Sequence, residues 1–405
     1  MSAFDARLRR EPGPSLDVGS EPDLVDRIRA EITADGPITF ARFMQRALYE
    51  PGLGYYRRAS GGPGREGDFL TAPEMHPIFG RMIARQLHEL WTAIGSPPRF
   101  VVREHGAGTG ALALATLRGL HADGSAVGSV IRYQPVEIDE DRQAMFRQRL
   151  RDAGFGDRIE PAGAGPIVGV ILANEVLDAL PVHRVVRRAG RLRELAVAVD
   201  GHRFTQVEIE PSSPALAARL GHEGITLDEG QIAEICLEVD GWIAATAVGL
   251  QQGLVLLIDY GHPAAELYGA RRPAGTLMAY VHHRAHDNPL INVGRQDLTA
   301  HVDITAVERA AQRNGLQTVG LTTQAEFLTG LGIGELLPAA QLDPATTLES
   351  YLELRSSVAR LLDPSATGGF RVMGYGRGLP AGVRFRGFEF RIPSRRAPSS
   401  TADPT

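Results

Sequence analysis

The stretch Arg99 to Ala115, RFVVREHGAGTGALALA, decides how the rest of the chain is read. Phe100-Val101-Val102 is an apolar run of the length of a buried strand; glycines follow at 106, 108 and 110, and then an alanine- and leucine-rich segment with strong helix propensity. The pattern is strand, tight turn, helix N-terminus. Glycine allows positive φ and lets a ligand approach the main chain, while the first N–H groups of the helix remain free to bond it. A nucleotide-like cofactor is the natural occupant.

The glycines alone leave the cofactor open. Gly106-Ala107-Gly108-Thr109-Gly110-Ala111 fits the G-x-G-x-x-G/A dinucleotide fingerprint as well as an E-x-G-x-G-x-G methyltransferase loop. Glu104, two residues before the first glycine, decides between them. A carboxylate at that strand end repels a diphosphate and attracts the ammonium and sulfonium of S-adenosylmethionine, and in a partly dry cleft that preference is worth several kcal/mol.

The wider composition narrows the function classes. The chain has 405 residues, 43% apolar, with a net charge of −5 and no long basic run, so nucleic acid is not an expected partner. All 43 basic residues are arginine, which removes Schiff-base and other lysine chemistry. The single cysteine, Cys236, sits in an apolar pattern read as helical and is expected to be a buried structural thiol. No apolar run reaches the eighteen or so residues of a membrane helix, so no membrane insertion is expected.

Amphipathic spacing predicts helices over Leu24 to Thr33, Ile38 to Tyr49 with Thr39 as cap, and His76 to Trp91. Between them lies a long glycine-rich loop from Pro51 to Met75, a lid or binding loop by length, which offers Tyr55, Tyr56, Asp68, Phe69, Thr71 and Glu74. After the glycine turn and a helix to Leu120, the strand IRYQPVEID ends at Glu137, 137 − 110 = 27 residues past Gly110, near where α/β nucleotide folds place an acid on the ribose hydroxyls. A helix (Glu140 to Ala153) and a short strand (Arg158 to Pro161) precede the strand Ile167 to Leu172. Its end places Asn174, Glu175 and Asp178 beside the cofactor's reactive end. Alternating segments from His183 to Glu210 predict an inserted antiparallel meander. A helix containing Ile232 to Leu250 then leads to GLVLLIDYG, whose Asp259 is expected to face the same crevice. The histidines at 282, 283, 286 and 301 match no metal template. A helix (Ala306 to Asn314), a strand (Leu316 to Leu321), a helical stretch (Gln324 to Leu331), a last helix and a strand region (Met373 to Arg391) complete the pattern.

GYYRR, GDFLTAPEMHPIFG, EHGAGTGALA, PVEID, NEVLDALPVHRVV, LVLLIDYG, GTLMAYVHH, GRQDLTAHVDIT and TQAEFLTGLGI, in this order, resemble the successive blocks of the MidA-like family. The resemblance runs from Ile38 to Gly334 and continues loosely through VMGYGRGL. It implies an α/β fold: a class I, Rossmann-like, seven-stranded methyltransferase sheet with a helical N-terminal region and an antiparallel β insertion. It also implies S-adenosylmethionine held by Glu104, Gly106, Gly108, Gly110, Glu137 and Asn174, with Thr71 and Pro73 from the loop. The family includes a mitochondrial factor that methylates an arginine of a respiratory complex I subunit, so a protein substrate is the implied partner, with a homodimer left open. Bacterial cytoplasm, or mitochondrial matrix in a eukaryote, is the implied location. The expected divisions are 1–75 (helices and active-site loop), 76–182 (first part of the cofactor domain), 183–230 (insertion), 231–334 (its remainder), 335–392 (C-terminal helix and strand) and a disordered tail, 393–405.

The sulfonium methyl is already activated, so such an enzyme must align a nucleophile with it and exclude water. A protonated guanidinium calls for a carboxylate pair; Asp68 or Glu74 with Glu175 or Asp178 are the candidates. A dinucleotide dehydrogenase and a non-catalytic assembly factor that binds the cofactor are the alternatives.

Overall fold

The computed structural model describes residues 16–58, 76–282 and 284–392. Asp68, Phe69, Thr71, Pro73 and Glu74 of the expected loop, His283 and the expected tail lie outside the described residues.

The chain begins with α1 (Pro22–Asp35), β1 (Ile38–Thr39) and α2 (Phe40–Tyr49). The Thr39 hydroxyl accepts the Arg42 N–H at 3.1 Å, the expected cap. Phe40, Phe43, Met44 and Leu48 share the buried face of α2 and pack on Leu24 and Ile28 of α1. Next come α3 (Ile78–Ala93), β2 (Phe100–His105), α4 (Ala111–Ala122), β3 (Ile131–Val136), α5 (Glu140–Asp152) and β4 (Ile167–Asn174). β2 lies between β3 and β4, parallel to both. Phe100 and Val102 point into one apolar layer with α3, and Val101 into the other. A parallel strand covered on both faces reads as an unbroken apolar run, which is why FVV was visible in the sequence.

The meander is β5 (His183–Arg188), β6 (Arg191–Asp200) and β7 (Arg203–Ile209), followed by α6 (Pro214–His222). It belongs to a larger five-stranded sheet: β1 joins β6, and β8 (Ile232–Ile235) joins β5. The helix expected from Ile232 is therefore corrected. An open edge on β5 recruits Ile232 to Ile235 as a strand, cross-strand pairing overriding local periodicity, and the helix α7 (Glu238–Val248) starts only afterwards. Cys236 falls between β8 and α7, and burial pushes its thiol up to about 12, leaving it unreactive.

β9 (Leu250–Asp259) returns to the main sheet. β10 (Gly261–His262), β11 (Met278–Val281), β12 (Arg284–His286), β13 (Asp297–Thr299) and β14 (Val302–Asp303) form two small sheets, β10-β14 and β12-β11-β13, the second of which meets α2 through β13. They lead to α8 (Ile304–Arg313), β15 (Gln317–Thr323), α9 (Gln324–Gly330), α10 (Leu336–Leu342), α11 (Leu348–Leu362) and β16 (Arg371–Arg377). Among the described residues the main sheet has the order β15-β16-β9-β4-β2-β3, six strands against the expected seven. Where the strand near Arg158 to Pro161 was expected, a single turn at Gly156–Arg158 is followed by one parallel bridge, Ile159 to Tyr133. The Gly- and Pro-rich run at 161–166 cannot extend the ladder. The last strand also stops early, at Arg377: Gly378 takes φ 61, and a short helix at Arg386–Glu389 replaces the expected extension. Two helices, α10 and α11, precede it where one was expected.

Candidate functional site

The carboxyl ends of β2, β3 and β4 open into a cavity of about 430 Å³. Its floor is the glycine turn. Gly106, Gly108 and Gly110 take φ of 64, 51 and 82, values that side chains rarely adopt. A Cβ would also stand 2.8 Å from Val176 at Gly106 and 2.8 Å from Phe146 at Gly110. Gly110 precedes α4, and no side chain caps its first N–H groups.

Glu104 reaches the cavity, as expected, but not as a free charge. It is 3% exposed, and the Tyr133 hydroxyl donates to Oε2 at 2.6 Å. Burial pushes its carboxyl up to about 8; the Tyr133 hydrogen bond opposes this rise and the nearby Glu137 charge adds to it. Glu137 ties the turn to its own strand end. Its Oε2 accepts from the Gly108 N–H at 2.8 Å, and Oε1 from the N–H groups of Ile138 and Asp139 at 2.9 and 3.2 Å.

Beyond the turn, the Asn174 amide donates to Glu175 Oε1 at 2.9 Å, while its own Oδ1 is buried with no hydrogen-bond partner. Glu175 takes φ 53, unusual for a residue with a side chain, and both residues line the cavity. Asp178 does not line it. It is 4% exposed behind the wall, accepts from the Tyr260 hydroxyl and has its carboxyl pushed up to about 6 by burial, an effect the Tyr260 bond opposes. Asp259 is likewise moved out of the crevice: its Oδ2 accepts the N–H groups of Val176, Leu177 and Asp178 at 3.2, 2.9 and 3.3 Å. Both expectations fail for one reason. The chain turns sharply at Glu175, and Asp259 is the acceptor that satisfies the turn's backbone donors.

Sequence reading offered only Tyr56 of the other wall. Gln45, Tyr49 and Tyr56 reach over from the N-terminal region, and Arg142, Glu238, Trp242 and His105 also line the cavity. Tyr49 and Tyr56 stack with ring centroids 5.6 Å apart, and their hydroxyls donate to Ala179 O at 2.8 Å and to Asp297 at 2.7 Å. The Arg142 guanidinium lies 5.9 Å above Tyr56, and Arg57 donates to Ile138 O at 2.6 Å, strapping this segment across the opening. His105 meets Trp242 edge-on at 5.3 Å, and burial pushes its imidazole down to about 4, so the ring is neutral at physiological pH. The available signals were the i, i+4 spacing of Glu238 and Trp242 and the tyrosine pair of GLGYY. Among the described residues, no group of three or more His, Cys, Asp or Glu is placed to hold a metal ion.

A family model for S-adenosyl-L-methionine-dependent methyltransferases matches residues 82–322. The chain belongs to this family. It is 34% identical to a superfamily member from Burkholderia thailandensis crystallised with S-adenosyl-homocysteine, covering 94% of this chain and 97% of that one with a TM-score of 0.83. A native crystal structure from the same organism gives 34% and 0.81. Among curated relatives, the Drosophila melanogaster protein arginine methyltransferase NDUFAF7 homolog, mitochondrial, is 29% identical over 85% of this chain and 82% of its own length. Its mouse counterpart is 27% identical over 88% and 86%. The MidA-like blocks are thereby accounted for, and the cofactor is S-adenosylmethionine.

The residues present fit that group. A glycine turn held at positive φ, the Glu137 carboxylate beside it and the orphaned Asn174 oxygen are features that suit such a ligand. Glu104 would face its positive charge, and Glu137 its ribose hydroxyls. When bound, the group supplies an activated methyl; the chain's part is to orient, to exclude water and to hold the acceptor. Among the described residues, no helix is long and apolar enough to cross a membrane.

Proposed function

We propose that this methyltransferase acts on the guanidinium of a protein arginine. The supporting observation is the composition of the cavity wall beyond the cofactor floor. Two carboxylates, Glu175 and Glu238, share it with the stacked rings of Tyr49 and Tyr56. A guanidinium is planar, always charged and a donor on every edge, so acids and aromatic faces are what it binds best. Glu238 takes the place that Asp178 was expected to fill; any contribution from Asp68 or Glu74 falls outside the described residues. The names of the curated relatives favour the same acceptor.

The test is labelled-methyl transfer from S-adenosylmethionine to arginine peptides, set against lysine peptides, with mass spectrometry locating the label. Glu238→Gln and Glu175→Gln should each lower kcat/KM for the arginine peptide by about tenfold or more with cofactor affinity nearly unchanged. Label on lysine, or on small molecules only, would refute the reading. A respiratory complex I subunit, the target the family resemblance implies, is the first protein to assay.

A further inference from the structure

The GRQDLT block contributes an acid that stands behind the cavity wall rather than in it. Asp297 opens β13, is fully buried and does not line the cavity. Its Oδ1 accepts two hydrogens, from the Tyr56 hydroxyl at 2.7 Å and from the Leu298 N–H at 2.9 Å. Two donors converging on one oxygen suit a carboxylate. The acid thus holds the hydroxyl of a ring that lines the cavity.

The small sheet and the loop before it fix this acid in place. Asp297 pairs in register with Tyr280 of β11. A Cβ on Gly294 would stand 2.7 Å from Leu53 O, so the loop packs backbone to backbone on the segment that leads to Tyr56. The same loop is tied to the N-terminal region: the Glu21 N–H donates to Val293 O at 2.8 Å, and Arg295 donates to the Glu21 carboxylate at 3.1 Å. Tyr56 is therefore held at its hydroxyl by Asp297, stacked on Tyr49 at 5.6 Å and met by Tyr55 in a T-shaped contact at 5.0 Å.

A phenol that donates to a carboxylate gains electron density on its ring, and this strengthens the negative face that attracts a cation. Burial, and after it the Asp297 charge, hold the Tyr56 hydroxyl well above its ordinary range, so it remains the donor. The ring already draws one guanidinium, that of Arg142 at 5.9 Å. We propose that Asp297 is a positioning residue: through Tyr56 it fixes and polarises the aromatic wall, so that the site selects a positively charged acceptor over a neutral one of the same shape. The inference rests on the arginine reading given above and deepens it by naming the group that enforces the charge requirement.

The experiment uses the full chain with an arginine peptide and the same peptide carrying citrulline, the neutral isostere, each bound in the presence of S-adenosyl-homocysteine. Asp297→Asn, Tyr56→Phe and the double variant are compared, with thermal unfolding as the control for folding. Asp297→Asn should weaken arginine-peptide binding about fivefold, leave citrulline-peptide binding and cofactor affinity unchanged, and raise KM for methyl transfer with little change in kcat. Tyr56→Phe should do the same, and the double variant no more than either. A merely structural role would weaken both peptides alike; that result, or additive effects in the double variant, would overturn the proposal. Should Asp297→Asn not fold, Tyr56→Phe carries the same comparison. If the unaltered chain methylates no arginine peptide, the functional reading falls, and its preference for arginine over citrulline in binding, with the loss of that preference in the variants, alone decides the role of Asp297.

Discussion

Tyr133 donates its hydroxyl hydrogen to Glu104 at 2.6 Å, so the acid on the cavity floor is held by the neighbouring strand rather than by solvent. With its carboxyl pushed up to about 8 by burial, Glu104 is mostly protonated at pH 7. An incoming sulfonium and ammonium favour the ionised form. Binding of S-adenosylmethionine at pH 7 should therefore release up to about one proton, seen as a buffer-dependent binding enthalpy. Glu104→Gln should abolish that dependence and weaken binding; a buffer-independent enthalpy in the unaltered protein would contradict it. The ligand-free fold should also lose stability as pH rises from 4.5 to about 8, because burial favours the protonated form. Glu104→Gln should flatten that slope.

Glu175 combines a place in the cavity wall with a backbone cost. At φ 53, a Cβ is disfavoured by about 1 kcal/mol relative to glycine. Glu175→Gly should unfold at higher denaturant than Glu175→Ala by that margin, while both lose methyl transfer. Equal stabilities would show that the turn imposes no strain.

Gly110→Ala tests the turn beneath the floor, for Gly110 itself faces α5 rather than the cavity. The new methyl group would meet the Phe146 ring at 2.8 Å from a left-handed backbone, so a loss of about 1 to 3 kcal/mol is expected. The cofactor should no longer raise the melting temperature of this variant. Retained thermal stabilisation by S-adenosylmethionine would argue that the turn is not its seat.

Asp178 separates stability from chemistry. Its carboxyl is raised from 3.8 to about 6, so the folded state favours the protonated form and pays a penalty that grows as pH climbs through that window. Asp178→Asn can still accept from Tyr260. It should gain stability over the unaltered protein between pH 4 and 6, keep the gain above pH 6, and leave cofactor affinity unchanged. Loss of methyl transfer at unaltered stability would return Asp178 to the reacting centre.

What could be read in the sequence was what is local. The strand, glycine turn and helix start lie within one continuous stretch, and Glu104 and Glu137 are fixed by strand ends that the apolar pattern marks. The rule that strand ends face the ligand located Asp178 and Asp259 only to the right end of the sheet. It could not say that the chain would fold back at Glu175 and bury both. Tyr49 and Glu238 were missed because they arrive from α2 and α7, and the cavity they share exists only once those helices dock against the sheet. Ile232 to Ile235 were misread because their strand state depends on a partner some fifty positions earlier in the chain.

The placement of β16 bears on how the molecule is made. It lies between β9 and β15, antiparallel to both, although it follows them in sequence, and the stretch matched by the family model ends at residue 322, ahead of it. As the chain leaves the ribosome, β9 waits with an unpaired edge and β15 with no sheet to join until residues 371–377 emerge. Such an edge invites wrong pairings. A nascent chain stalled before that point should bind chaperones, and release of the last segment should be the event that zips the sheet shut.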